Sequence, residues 1–167
     1  KQVDLAELAS LARVRGLESR VILASTKLEQ IHEWKRLVPG GQTLHWMGGA
    51  EEKLRQRMDE LRKMQFADVT QLQIHVREGK DGAPMQPSAA FLREVAAELK
   101  PRGILFQCLP WGASTPGIYQ RLLDLGVQSF ATDYPDVVMQ VMHGHGKKSA
   151  GRSSFLHNGV TAHRGSS

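Results

Sequence analysis

The sequence has a single cysteine, Cys108, among 167 residues, which excludes a disulfide bond within the chain. It also lacks long hydrophobic runs. Its longest apolar segments, such as Arg20–Ser25 and Ile104–Leu109, are far too short to cross a bilayer. Aromatic residues make up only 6% of the chain, but 41% is hydrophobic and 23% is charged. This composition is typical of a globular domain and excludes a disordered or membrane-spanning chain.

The sequence has few unopposed charges, although its net charge is +5. Between Glu51 and Lys63, basic residues alternate with acidic ones, which is typical of a solvated helix face. The only basic stretch without nearby acidic residues is Lys147, Lys148 and Arg152, within a segment rich in Gly and Ser. A nucleic-acid partner requires a concentrated basic surface, so the charge pattern favours no nucleic-acid function.

Helical and strand patterns alternate along the chain. The apolar period predicts helices over Val3–Val14, Ala50–Gln65, Ala89–Lys100, Gly117–Leu125 and Val137–Met142, and a further helix that starts after Thr26. Asp4, Thr26 and Ser88 are predicted caps of these helices. Short apolar runs predict strands at Arg20–Ser25, Thr43–Met47, Leu72–Val76, Ile104–Leu109 and Val127–Ala131.

Repeated strand–helix units of this length predict an α/β fold with parallel strands and helical crossovers. Two architectures fit this pattern: the doubly wound sheet and the closed (β/α)8 barrel of the TIM type. No glycine-rich nucleotide fingerprint follows any strand, which disfavours the doubly wound sheet. Five strands are too few to close a barrel, so the sequence predicts a partial (β/α)8 TIM-type barrel with outer helices.

Polar and aromatic side chains follow the strands at their carboxyl ends, where parallel α/β folds bind ligands. They are Ser25, Thr26, His45, Trp46, His75, Arg77, Gln107, Trp111, Thr132 and Asp133. Strand ends also carry polar residues without any function, so each position is only a candidate. Cys108 lies within an apolar run and is predicted to be a small core residue rather than a nucleophile.

The Thr132-Asp133-Tyr134-Pro135 turn and the His163-Arg164-Gly165 tripeptide lie in two segments that resemble the glycerophosphodiester phosphodiesterase family. The stretch Leu122–Asp136, LLDLGVQSFATDYPD, is similar to the helix, Gly-Val pair, strand and Thr-Asp-x-Pro turn that end the family's barrel. The stretch Gly159–Gly165, GVTAHRG, is similar to the strand and His-Arg-Gly that open it. Arg20–Ser25 also resembles a middle strand of that barrel, although Thr26 stands where the family usually has Phe.

This order implies two barrels in tandem, because the end of one precedes the beginning of another. By this resemblance, residues 1–142 are the C-terminal portion of a phosphodiesterase-like barrel, residues 143–154 are a linker and residues 155–167 start a second such domain. The first residue, Lys1, and the last residues suggest a piece of a longer polypeptide. We therefore expect the parent protein, rather than this fragment alone, to be the active enzyme.

The resemblance implies hydrolysis of glycerophosphodiesters to glycerol phosphate and an alcohol, with a divalent cation, Ca²⁺ or Mg²⁺, whose ligands lie outside this sequence. It implies that His163 is one of a pair of acid–base histidines and that Arg164 pairs with phosphate or with acidic ligands. Lys1 would neutralise phosphate charge in the first barrel. Trp111 would give the alcohol an apolar wall.

One departure keeps a second interpretation open. The family's penultimate strand ends in Trp-Thr-x-Asn, whereas this chain has Cys108–Ser114, CLPWGAS, and lacks the Asn. The alternative is therefore a ligand-binding or structural barrel that has lost its active site. The oligomeric state, the compartment and the alcohol that is released are not determined by the sequence.

Overall fold

In the computed structural model, residues 4–79 and 84–154 are described, and within them five strands form one parallel sheet in the order β1-β2-β3-β4-β5. The strands are β1 Ile22–Ser25, β2 Gln42–Met47, β3 Gln71–Arg77, β4 Leu105–Trp111 and β5 Ser129–Phe130. The helices are α1 Leu5–Val14, α2 Leu28–Leu37, α3 Glu51–Lys63, α4 Ala89–Leu99, α5 Pro116–Asp124 and α6 Pro135–Ser154. Sequential order in an all-parallel sheet is the pattern of a (β/α)8 barrel, so the predicted α/β class is confirmed.

Alternation along each strand separates two faces of the sheet. One face carries the buried apolar strand residues Met47, Leu72, Ile74, Val76, Phe106 and Cys108, and these pack in one cluster with apolar residues of α2 to α6. Because successive strand side chains point to opposite faces, the residues between them form the other face. That inner face carries Gln73 and Gln107, whose amides hydrogen-bond at 2.5 Å, and Gln107 also donates to the Ser129 hydroxyl at 3.1 Å. Helices on one face and polar residues on the other describe an arc of a barrel.

Helix caps explain several of the boundaries. Asp4 accepts hydrogen bonds from the backbone N–H groups of Ala6 and Glu7, and Ser88 accepts one from Phe91, so both predicted caps are confirmed. The predicted cap at Thr26 is wrong. The residue before α2 is Lys27, which has no side-chain cap bond. Its backbone N–H donates instead to the Ser25 hydroxyl at 3.0 Å.

The last helix differs from the sequence prediction. A short helix over Val137–Met142 and an irregular linker over residues 143–154 were expected, but α6 runs through Pro135–Ser154. Composition misled here because a helix, once nucleated, adds one hydrogen bond for each further residue, and no proline follows Pro135 within this stretch. Residues 143–154 are therefore helical. The division into two domains, with boundaries after 142 and 154, stays a prediction.

Ion pairs on the outer surface join neighbouring helices. Arg62 of α3 forms a two-pronged contact with Glu98 of α4, with N–O distances of 2.8 to 3.1 Å, and it also contacts Asp59. These hydrogen bonds hold the pKa of Glu98 below its usual range. The acidic and basic residues that alternate between Glu51 and Lys63 therefore lie on a solvated helix surface. No described helix is both long and apolar enough to cross a membrane.

Candidate functional site

Three aromatic rings meet at the carboxyl end of the inner face. Trp46 stacks on His75 with ring centroids 5.0 Å apart and planes 12° apart. Trp111 meets the same imidazole edge-on, with centroids 5.8 Å apart. They come from three adjacent strands, β2, β3 and β4, and the strand register explains why they meet. We call Trp46, His75 and Trp111 the aromatic cluster.

The predicted substrate residue Trp111 lies in this cluster, and it keeps 55% of its surface exposed. It is the last residue of β4, in register with Arg77 at the end of β3. Residues in register on neighbouring strands point to the same face, so Arg77 starts from the same face as Trp111. The cluster therefore presents an exposed indole beside a strand position that carries a guanidinium group.

His75 is half-buried, and burial lowers the pKa of its imidazole. The ring is therefore neutral at pH 7. Neither of its ring nitrogens has a hydrogen-bond partner among the described residues. A neutral imidazole has one nitrogen that donates and one that accepts, so His75 offers an unused acceptor at the barrel mouth.

Gly48 has no side chain and so leaves room for the His75 imidazole. A Cβ atom at position 48 would lie 3.0 Å from Nδ1 and 3.2 Å from Cγ of His75, which is closer than ordinary packing allows. The sequence showed Gly48 only as the end of a strand. The signal that could have found its role is its spacing: it lies two residues after Trp46, on the same face of the sheet.

Other candidates from the strand ends lie elsewhere. His45 points to the opposite face of the sheet from Trp46 and is 3% exposed. Its Nδ1 lies 3.1 Å from the carbonyl oxygen of Ser25. Burial lowers the pKa of His45, and the hydrogen bond to Ser25 partly offsets this. His45 lines a separate cavity of about 260 Å³ together with Arg57 and Glu60 of α3. It is therefore not part of the aromatic cluster.

Tyr119 of α5 connects the segments that follow β4 and β5, and the sequence analysis did not identify it as a candidate. It is fully buried, and its hydroxyl lies 2.8 Å from the carbonyl oxygen of Ala113 and 2.6 Å from the hydroxyl of Thr132. It therefore joins the loop after β4 to the segment after β5. The predicted site residue Thr132 has a structural part in this contact, because its hydroxyl also accepts from the backbone N–H of Tyr134.

Tyr119→Phe should lower the free energy of unfolding by about 1–2 kcal/mol, because the Thr132 hydroxyl and the Ala113 carbonyl lose a buried partner. Urea unfolding measures the change. Tyr134→Phe is the matched control, since Tyr134 is 39% exposed and no hydrogen bond of its hydroxyl is found among the described residues. Equal effects of the two substitutions would contradict the role given to the Tyr119 hydroxyl.

Three of the predicted site residues, Lys1, His163 and Arg164, lie outside the described residues. Cys108 lies in the core, fully buried, and burial raises the pKa of its thiol well above the usual range. A thiol that stays protonated is a poor nucleophile, which agrees with the predicted core role. In the described part of the chain, no three His, Cys, Asp or Glu side chains are grouped so that they could hold a metal ion.

Neither a protein-family model nor a curated protein matches the chain. Several solved structures match it in fold. A protein from Galdieria sulphuraria assigned as a glycerophosphodiester phosphodiesterase superposes with a TM-score of 0.62 at 16% identity, over 84% of this chain and 51% of that one. A protein from Silicibacter pomeroyi with a corresponding assignment gives 0.61 at 20% identity, over 85% and 44%. The glycerophosphodiester phosphodiesterase from Parabacteroides distasonis gives 0.55 at 18% identity, over 87% and 56%.

This chain thus spans about half the length of the solved structures that it matches. At these identities the likeness concerns the fold. The resemblance that the sequence motifs suggested is therefore confirmed at that level: the chain has the fold of part of a glycerophosphodiester phosphodiesterase barrel.

Proposed function

We propose that the protein that carries this chain hydrolyses glycerophosphodiesters to glycerol phosphate and an alcohol. The observation that carries the proposal is the fold likeness, which extends over more than four fifths of the chain and involves glycerophosphodiester phosphodiesterases in four cases. The aromatic cluster supports it, because ligands of (β/α)8 barrels bind at the carboxyl ends of the strands, where Trp111 is exposed.

In this proposal the described residues act on the alcohol side of the substrate. Trp111 offers an exposed apolar ring against which the carbon atoms of the alcohol pack. Arg77, at the neighbouring strand end, carries a charge that favours the phosphate group. Tyr119 fixes the two loops on either side of the mouth. These residues bind and orient the substrate, and none of them needs to exchange a proton.

The acid–base and charge-neutralising roles belong to residues assigned by the family resemblance. By this resemblance, His163 exchanges a proton with the reacting oxygen in the second barrel, and Arg164 pairs there with phosphate or with acidic ligands. Lys1 neutralises phosphate charge in the first barrel, which also contains Trp111. Ca²⁺ or Mg²⁺ would polarise the phosphoryl oxygens when bound. The described residues do not provide a ligand set for such an ion.

The complete protein should release glycerol phosphate from glycerophosphodiesters, and Trp111→Ala should lower kcat/KM about tenfold, because the alcohol loses an aromatic contact of about 1 kcal/mol or more. Trp111→Phe should retain most of the activity, since it keeps an aromatic ring. A coupled assay of glycerol phosphate measures both variants. Unchanged kcat/KM in Trp111→Ala would remove Trp111 from the site.

A second candidate is favoured by the end of β4. The strand ends at Trp111, and residues 112–114 follow it without the Asn that the family pattern has after its Trp. A barrel that keeps its binding site but has lost its catalytic residues would bind a glycerophosphodiester and leave it intact. Calorimetric binding of glycerophosphoglycerol without release of glycerol phosphate would favour this candidate over the enzyme.

A further inference from the structure

The His75 ring is held in place by contacts that leave its hydrogen-bonding capacity unused. Trp46 covers one face at 5.0 Å, and Trp111 approaches edge-on. Gly48 lies against the Nδ1 and Cγ side, so the Nε2 edge of the ring is turned away from Gly48. Neither ring nitrogen is fully buried, so solvent can reach the free acceptor, and a ligand hydroxyl that displaces this water keeps the hydrogen bond.

We propose that His75 is a specificity-determining residue that accepts a hydrogen bond from a hydroxyl group of the alcohol moiety. The preferred substrates are then glycerophosphodiesters of neutral polyols rather than of quaternary-ammonium alcohols. This inference rests on the proposed function and adds to it the class of alcohol. Trp46 and Gly48 are positioning residues in this arrangement, because they fix the imidazole and do not themselves supply its acceptor.

The chemistry of the two alcohol classes separates them at this position. A polyol hydroxyl donates a hydrogen bond to the neutral imidazole and can pack its C–H groups on the exposed face of Trp111. A trimethylammonium group has no hydrogen to donate, so it would cover His75 and leave the acceptor unpaired. Sites that hydrogen-bond a substrate group discriminate strongly against analogues that lack it, because the site's own polar atom is then left without a partner.

Aromatic rings can also attract a quaternary ammonium ion through their faces. Here one face of Trp46 is already covered by His75, and Trp111 lies in register with the cationic Arg77. The combination of a neutral acceptor, an indole face and the cationic Arg77 suits a polyol better than a cation.

The test compares glycerophosphoglycerol with glycerophosphocholine as substrates of the complete protein. The wild type should have at least a tenfold higher kcat/KM for glycerophosphoglycerol. His75→Phe keeps a stacked ring but removes the acceptor. It should lower kcat/KM for glycerophosphoglycerol about 10–100-fold and should not lower that for glycerophosphocholine, which makes no hydrogen bond to the acceptor. His75→Asn restores a side-chain acceptor and should recover part of the preference.

His32→Phe is the matched control, because His32 lies on α2 and pairs with Asp68 before β3, at the opposite end of the sheet. It should leave both substrates unaffected. A wild-type preference for glycerophosphocholine, or equal losses for both substrates in His75→Phe, would overturn the assignment of His75 and leave the proposed function standing. If the wild type hydrolyses neither substrate, the proposed function itself fails, and the substrate assignment fails with it.

Discussion

Leu92→Ala should lower the free energy of unfolding by about 2–5 kcal/mol, the range typical of deleting a fully buried leucine side chain. Leu92 lies in α4, has no exposed surface and belongs to the cluster that joins the helices to the outer face of the sheet. Its loss removes apolar contacts and leaves a cavity between α4 and the sheet, which rigid neighbours fill only in part. Urea unfolding followed by circular dichroism measures the change.

Leu11→Ala is the matched control for this prediction. Leu11 lies in α1 and is 53% exposed, so the same chemical change should cost less than about 1 kcal/mol. Leucine and alanine have similar helix propensities, so the difference between the two variants reports burial rather than helix formation. Similar losses for Leu92 and Leu11 would contradict the placement of α4 over the sheet.

The strands could be predicted from the sequence because parallel strands that are covered by helices need apolar runs, and such runs are short and continuous. All five strands begin and end within two residues of the predicted positions. The strand that loses most of its predicted length is β5, predicted over Val127–Ala131 and observed over Ser129–Phe130. It pairs with β4 at one side only among the described residues, and a strand with one partner forms fewer ladder bonds than its apolar pattern suggests.

The sequence predicted the location of the candidate site and included its three members among the candidates, but it could not show which of the candidates meet. His45 and Trp46 are adjacent in the sequence, and both end up at the carboxyl edge, but they point to opposite faces. Apolar residues occur at both parities of β2, with Leu44 and Trp46 on one face and Met47 on the other. Only packing against the helices decides which face is inner, so the sequence alone could not separate the ring in the cluster from the buried one.

The hydrogen bonds that support the mouth were beyond prediction for a related reason. Tyr119 looked like one of several apolar positions in α5, and its hydroxyl finds Ala113 and Thr132 only because two loops converge there. Similarly, the cap expected from Thr26 is replaced by the Ser25 hydroxyl one residue earlier. Local preference identifies residue types that can accept a backbone bond, whereas the path of the chain decides which of them is in reach.

Gly126→Ala should lower the free energy of unfolding by roughly 2 kcal/mol or more, because two independent costs meet at this residue. Gly126 follows α5 with a φ of 97°, a conformation that disfavours any side chain. A Cβ atom there would also lie 2.9 Å from the Cβ of Ala96, in α4. The turn after α5 therefore approaches α4 at a distance that only a glycine allows.

Gly103→Ala separates the two costs. Gly103 has a φ of 68°, but a Cβ atom at that position has no atom within 4 Å, so only the conformational cost of about 1–2 kcal/mol remains. Gly126→Ala should exceed it by about 1–3 kcal/mol, the typical cost of overpacking. Adding Ala96→Gly to Gly126→Ala removes the opposing methyl group. The double variant should then recover part of that excess beyond the separate cost of a glycine within α4. If the effects of Ala96→Gly and Gly126→Ala are simply additive, the close approach of the turn to α4 is not what makes glycine necessary at position 126.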